Sequence, residues 1–203
     1  MYYNKKGDIV QVGLNGTDKK RGIVMADEKI AGLRRHSEEI NRLVNESLRG
    51  ALVILLKDTE YDKITISGIC LKAGVSRMAF YGNYKTKDDL LEAIVEDLNK
   101  TIYAEIGSPF LVETTINWYR NFFRLIYEKR ELISRIFDAG FRKKYFFFVN
   151  KIILNTPMIS SAEKYRRLIW SGGIENVIVY WFENGMTETP DRLAEFCNGH
   201  LYT

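Results

Sequence analysis

The chain has 203 residues, 46% hydrophobic and 28% charged, with a formal net charge of +4. That balance excludes a disordered chain, and the longest aliphatic run, Ala51 to Leu56, is far shorter than the roughly 20 residues a membrane span requires. Two cysteines far apart in the chain and two histidines near its ends speak against a clustered zinc site and a Ser, His, Asp arrangement, so no metal, no cofactor and no catalysis are expected. Only three prolines interrupt the chain, which favours long helices and an all-α fold. The start lacks the apolar core of a signal peptide, so the expected location is the cytoplasm.

In chain order, residues 1–36 form an N-terminal extension. Residues 1–30 are glycine-dotted and polar with no core-forming period, and are read as disordered or as a start placed too early, with Met25 as the true start. Arg34, Arg35 and His36 stand just ahead of the first helix, where they can reach a minor groove or simply make a solvated helix start. From Ser37 the period is helical. Leu43, Leu48, Ala51, Leu52, Leu55 and Leu56 mark one face, and the helix ends near Lys57.

Thr65 is placed to cap a short helix from Ile66 to about Ala73 with Ile66, Ile69 and Cys70 inward. Gly74 then supplies the left-handed residue of a sharp turn. A second short helix from Ser76 to about Asn83 turns Val75 and Phe80 inward; Tyr84 also joins the core, and Arg77, Met78, Ala79, Tyr81 and Asn83 face out. "TKDD" follows as a capping box with Thr86 as cap and Asp89 three residues on. It opens a long helix to about Ile106, striped by Leu90, Leu91, Ile94, Val95, Leu98 and Ile102.

Two short helices about a glycine turn make a helix-turn-helix, whose second helix is a rod narrow enough for a major groove. Charge agrees with that use. Lys63 to Lys87 holds five basic residues and no acid, whereas Asp88 to Asp97 holds five acids and no base.

Residues 51–94, through "TISGICLKAGVS" and "FYGNYKTKDDLL", resemble the tetracycline-repressor (TetR) family of transcriptional regulators. The resemblance implies an N-terminal three-helix DNA-binding head, here 37–100 with the start of a connecting helix, and a C-terminal helical effector-binding and dimerisation bundle, here 101–203. It implies phosphate contacts from Thr65 and Lys87, packing of Tyr81 on the DNA backbone, and base or phosphate contacts from Ser76, Arg77, Met78, Ala79 and Asn83. Lys87 at a helix N-terminus adds its charge to a helix dipole, and Arg77 has the geometry for a bidentate contact to guanine. Two positions depart from the family. Ala79 stands where Thr or Ser is common, and Gly82, usually a bulky position, reads as a glycine inside the recognition helix.

Beyond residue 106 the helices are rich in aromatic residues. Trp118, Phe122, Phe146 and Trp170 are the candidate lining of a pocket for a small apolar or aromatic effector. Ile174, Val177, Ile178 and Trp181 share a wide face, and with Leu193 and Phe196 of a last helix capped by Thr189 they form the candidate homodimer interface. Gly172 and Gly173 suggest close approach of a neighbouring helix. "GGIENVIVYWFENGMTETPDRLAE" is similar to the end of a TetR subgroup that includes regulators near dihydroxyacetone kinase genes. The expected function is a ligand-responsive dimeric regulator, a repressor, on double-stranded DNA with a palindromic operator. Ala79 and Gly82 motivate an alternative, a TetR-like protein-interaction adaptor without DNA binding of its own.

Overall fold

The computed structural model describes residues 16–110, 116–155 and 160–201. All regular structure among them is helical. The chain divides into two units, one up to Asn45 and one from Glu46 on, and the division falls within the first helix, α1 (Gly16–Asp58). Residues 16–36, expected to precede the first helix, belong to α1, so Arg34, Arg35 and His36 lie within it; residues 1–15 of the expected extension are outside the described residues. In the second unit Leu48, Ala51, Leu52 and Leu56 of α1 are buried, while Leu43 of the first unit is exposed.

A 3-10 turn, Tyr61–Lys63, leads to α2 (Ile66–Ala73) and α3 (Arg77–Tyr81). Local chemistry fixes each boundary. The Thr65 hydroxyl accepts from Gly68 N at 3.1 Å and opens α2. Gly74 ends it at φ +69°, in the left-handed region that a Cβ penalises. The Ser76 hydroxyl accepts from Ala79 N at 3.1 Å and opens α3. Phe80 is wholly buried, in edge contact with Tyr81 and tilted against Tyr84, so one ring anchors the short helix to the core.

Helix α4 (Lys87–Ile106) starts with the expected capping box: Asp89 N donates to Thr86 Oγ1 at 3.1 Å and Thr86 N to Asp89 Oδ2 at 3.0 Å. Its expected stripe, Leu90 to Ile102, is buried. Buried Asn99 donates to Val95 O and to Tyr145 O, which ties α4 to α7. The remaining helices are α5 (Ile116–Glu128), α6 (Arg130–Asp138), α7 (Arg142–Leu154), α8 (Ser161–Glu183) and α9 (Pro190–His200). Helix α9 lies along α5, with Ala194 and Cys197 inward, and has the expected Thr189 cap and Pro190 start.

Candidate nucleic-acid interface

The exposed side of the helix-turn-helix carries Thr65, Ser76, Arg77, Met78 and Tyr81, with Ala79, Asn83 and Lys87 half-buried. Sequence reasoning assigned all eight to DNA, and the fold brings them to one head. Their side chains differ in what they already hold. Arg77 donates to Ser67 Oγ, bridging α3 to α2, and Asn83 Nδ2 donates to Ala79 O at 2.9 Å. Thr65 and Ser76 accept cap hydrogen bonds through oxygens whose own hydroxyl protons can still be given to a phosphate. Met78 is 86% exposed and Tyr81 57%.

Lys87 departs from the simple picture. Its ammonium donates to Tyr61 O at 2.6 Å and Ile64 O at 3.0 Å, and lies 4.2 Å from the Tyr61 ring centre. At the start of α4 the Asp89 amide is capped by Thr86 Oγ1, and Asp88 and Asp89 place negative charge there. The side chain therefore staples the turn after α1 to α4. Its use of the helix dipole to draw a phosphate, inferred from sequence, is offset by this capping.

Gly82 also corrects an expectation. It sits not inside a helix but at the end of α3, with φ −69° and ψ −19°, and its N–H bonds back to Met78 O. The interior-glycine cost does not apply there, and the recognition helix ends two residues before Asn83.

The Tyr61 hydroxyl donates to Asp88 Oδ1 at 2.5 Å; burial first, and this bond to a carboxylate second, push its phenol above the ordinary tyrosine range. Tyr61 meets Phe141, the residue preceding α7, edge to face at 5.8 Å. Arg135 of α6 donates to Lys57 O at the end of α1, and Lys144 pairs with Glu92 of α4. These contacts, absent from any local sequence pattern, join α6 and α7 to the head.

Within the bundle, Trp118, Phe122, Phe146 and Trp170 line one cavity of about 50 Å³, closed by Ile102, Val149, Ile174 and Ile178. Asn99 and Ser171 are its polar edge. Trp118 and Phe122 stack at 5.1 Å, and Trp170 Nε1 donates to Tyr119 Oη at 2.8 Å. Pockets for drug-sized ligands measure about 300–1,000 Å³, so an occupant of this cavity must displace side chains.

The expected dimer face separates into two parts. Ile174, Ile178 and Trp181 are buried within the chain: the first two close the cavity, and Trp181 packs on Phe123 and Tyr127 while donating to Glu188 O. They are core here, a correction to their assignment to an outer face. Val177 and Leu193 are half-buried and Phe196 is exposed. The most exposed apolar side chains of α8 are Tyr165, Ile169 and Tyr180, at 68%, 76% and 68%, and Leu168 is exposed beside them. Of the two glycines, a Cβ on Gly173 would lie 2.7 Å from Leu201 Cδ2, and one on Gly172 would meet nothing within 4 Å.

A capped helix-turn-helix with an exposed second helix, set against an all-helical bundle, has the form of a DNA-binding head. Similarity to known proteins extends this reading. Residues 50–94 match the model of bacterial regulatory proteins, tetR family. It is 23% identical to the "Uncharacterized HTH-type transcriptional regulator YxbF" of Bacillus subtilis (strain 168) over 162 residues, 73% of this chain. The chain spans 42% of that relative's length. Among solved structures it is similar in fold to "Dihydroxyacetone kinase operon activator DhaS", with a TM-score of 0.54, 17% identity, and coverage of 78% of this chain and 93% of the other. Among the described residues no helix is long and apolar enough to cross a membrane.

Proposed function

We propose that the chain is a dimeric, effector-responsive repressor acting in the cytoplasm on a palindromic operator. The observation that carries this reading is the outward presentation of Arg77, Met78 and Tyr81 on α3, a helix anchored from beneath by Phe80. Two such helices related by a two-fold axis read half-sites about 34 to 36 Å apart, or a multiple of that. Thr65, Ser76, Tyr81 and the remaining donors of Arg77 serve phosphates and sugars, while Met78, Ala79 and Asn83 meet base edges.

The two-fold contact is assigned to Tyr165, Ile169 and Tyr180 of α8 together with Phe196 of α9, joined by Val177 and Leu193. Their exposed apolar surface supports a partner. The effector is a small apolar or aromatic molecule entering beside Trp118, Phe122, Phe146 and Trp170. The cavity holds only about 50 Å³, so entry spreads α4 and α7, which the Asn99 hydrogen bond to Tyr145 O holds together. The head rests on the same helices through Phe141 and Glu92, so spreading them disturbs the spacing of the two heads. Coupling of about 1 to 3 kcal/mol weakens operator binding some 5- to 150-fold.

The test is operator affinity against salt, with a reporter under the chain's own upstream promoter. Affinity is expected to fall steeply with salt, and the reporter to rise when the gene is deleted. A salt slope near zero removes the phosphate-contact scheme. A reporter that falls on deletion removes the repressor role.

A further inference from the structure

We infer that the recognition helix selects its operator by apolar contact with thymine methyl groups, with Met78 as the specificity-determining side chain. The inference rests on the DNA-binding reading above and deepens it. Four of the polar side chains assigned to the reading surface have partners inside the head: Arg77 donates to Ser67 Oγ, Asn83 to Ala79 O, and the Ser76 and Thr65 hydroxyl oxygens accept from backbone amides. Beside them on α3 stands an exposed apolar side chain. Met78, at 86%, is the most exposed large hydrophobic residue among the described ones, and Leu71, at 85%, follows it on α2.

The chemistry of the groove matches that surface. In the major groove the apolar landmark on a base edge is the C5-methyl of thymine, whereas guanine, cytosine and adenine are marked by donors and acceptors. A side chain without donors therefore distinguishes thymine by its methyl. Methionine suits this because it is unbranched, polarizable and adaptable enough to lie across successive methyl groups. Ala79, beside it, adds a second methyl and no hydroxyl. Arg77, bonded to Ser67, holds α2 and α3 as one unit and leaves the central base contacts to Met78.

Full-length protein should be used to select sites from a random duplex pool, and each thymine of the enriched half-site then replaced by deoxyuridine, which removes only the methyl. At least one replacement is expected to weaken binding about fourfold, the worth of one buried methyl-sized group. Met78→Ala, at an exposed position where folding is unaffected, is expected to bind more weakly and to lose the difference between thymine and uracil at that base. Full affinity on every uracil-substituted site overturns the inference while leaving DNA binding intact, as does a Met78→Ala protein that still prefers thymine. A pool with no enrichment and no salt-sensitive binding overturns the DNA-binding reading itself.

Discussion

The Lys87 ammonium caps the Tyr61 ring at 4.2 Å and donates to the carbonyl oxygen of that same tyrosine at 2.6 Å. A charge held by two carbonyls and a ring face contributes to the head before any DNA arrives. Hydrogen bonds from charged groups are worth about 1.5 to 3 kcal/mol each when a partner is removed. Lys87→Met keeps the stem and loses the ammonium. It is expected to lower stability by about 2 kcal/mol, read as a shift in the urea midpoint, and to change the salt slope of operator binding by less than one unit. A full unit lost from the slope with stability unchanged would return Lys87 to direct phosphate contact.

Which face of α8 meets a partner can be separated from which face holds the fold. Ile169→Glu, at an exposed position, is expected to leave the melting temperature of the protomer within a few degrees and to shift sedimentation from dimer to monomer. Ile178→Ala, at a buried one, is expected to destabilise by about 2 to 5 kcal/mol, since a cavity forms where packing relaxes only partly. If Ile169→Glu sediments as a dimer, the exposed stripe is not the interface.

Cavity size gives a direct test of effector entry. Phe122 is half-buried and stacked on Trp118, so Phe122→Ala opens the cavity at lower cost than a change at fully buried Phe146. The variant is expected to bind a small aromatic probe such as indole at least tenfold more tightly than the parent, followed by nuclear magnetic resonance shifts around Ile174 and Ile178. Equal affinity in both proteins places the ligand elsewhere.

Alkaline pH should unfold the bundle in a defined order. Burial pushes the Cys197 thiol from 9.0 up to about 11, and raises the Tyr61 and Tyr145 phenols as well. The folded chain keeps protons that the unfolded chain releases, so this stability is complete below about pH 9 and is lost as pH climbs past it. A tenfold difference in proton affinity between the folded and unfolded chain is worth about 1.4 kcal/mol, so the loss due to Cys197 approaches about 2 to 3 kcal/mol near pH 11. Urea midpoints measured from pH 8 to 11 should show Cys197→Ala losing the earliest part of the decline and keeping the part above pH 10. An unchanged early decline would assign it to another group.

The parts of this molecule legible in the sequence were those set by near neighbours. Thr65, Ser76, Thr86 with Asp89, and Thr189 with Pro190 each cap a helix within three residues of themselves, and the α4 stripe repeats at the helical period. The cavity residues were found for a related reason, because large rings on helices that must pack together leave gaps. Three things were not legible. The onset of α1 at Gly16 has no apolar period to announce it. Apolar residues surround α8 almost evenly, so nothing local distinguishes Ile174 and Ile178, which turn inward, from Ile169 and Tyr180, which turn out. The partners of Lys87 and Arg77 lie in other elements, 26 and 10 residues away in the chain, and no short spacing encodes them.

The pairing of α9 with α5 has a kinetic side. The helices α2 and α3 of the head touch near neighbours in the chain, whereas α5 packs along α9, a helix that follows three others. During synthesis the head can close on itself while α5 still awaits α9, which is made only after α6, α7 and α8. The helix-turn-helix is thereby formed before the packing on α5 is complete.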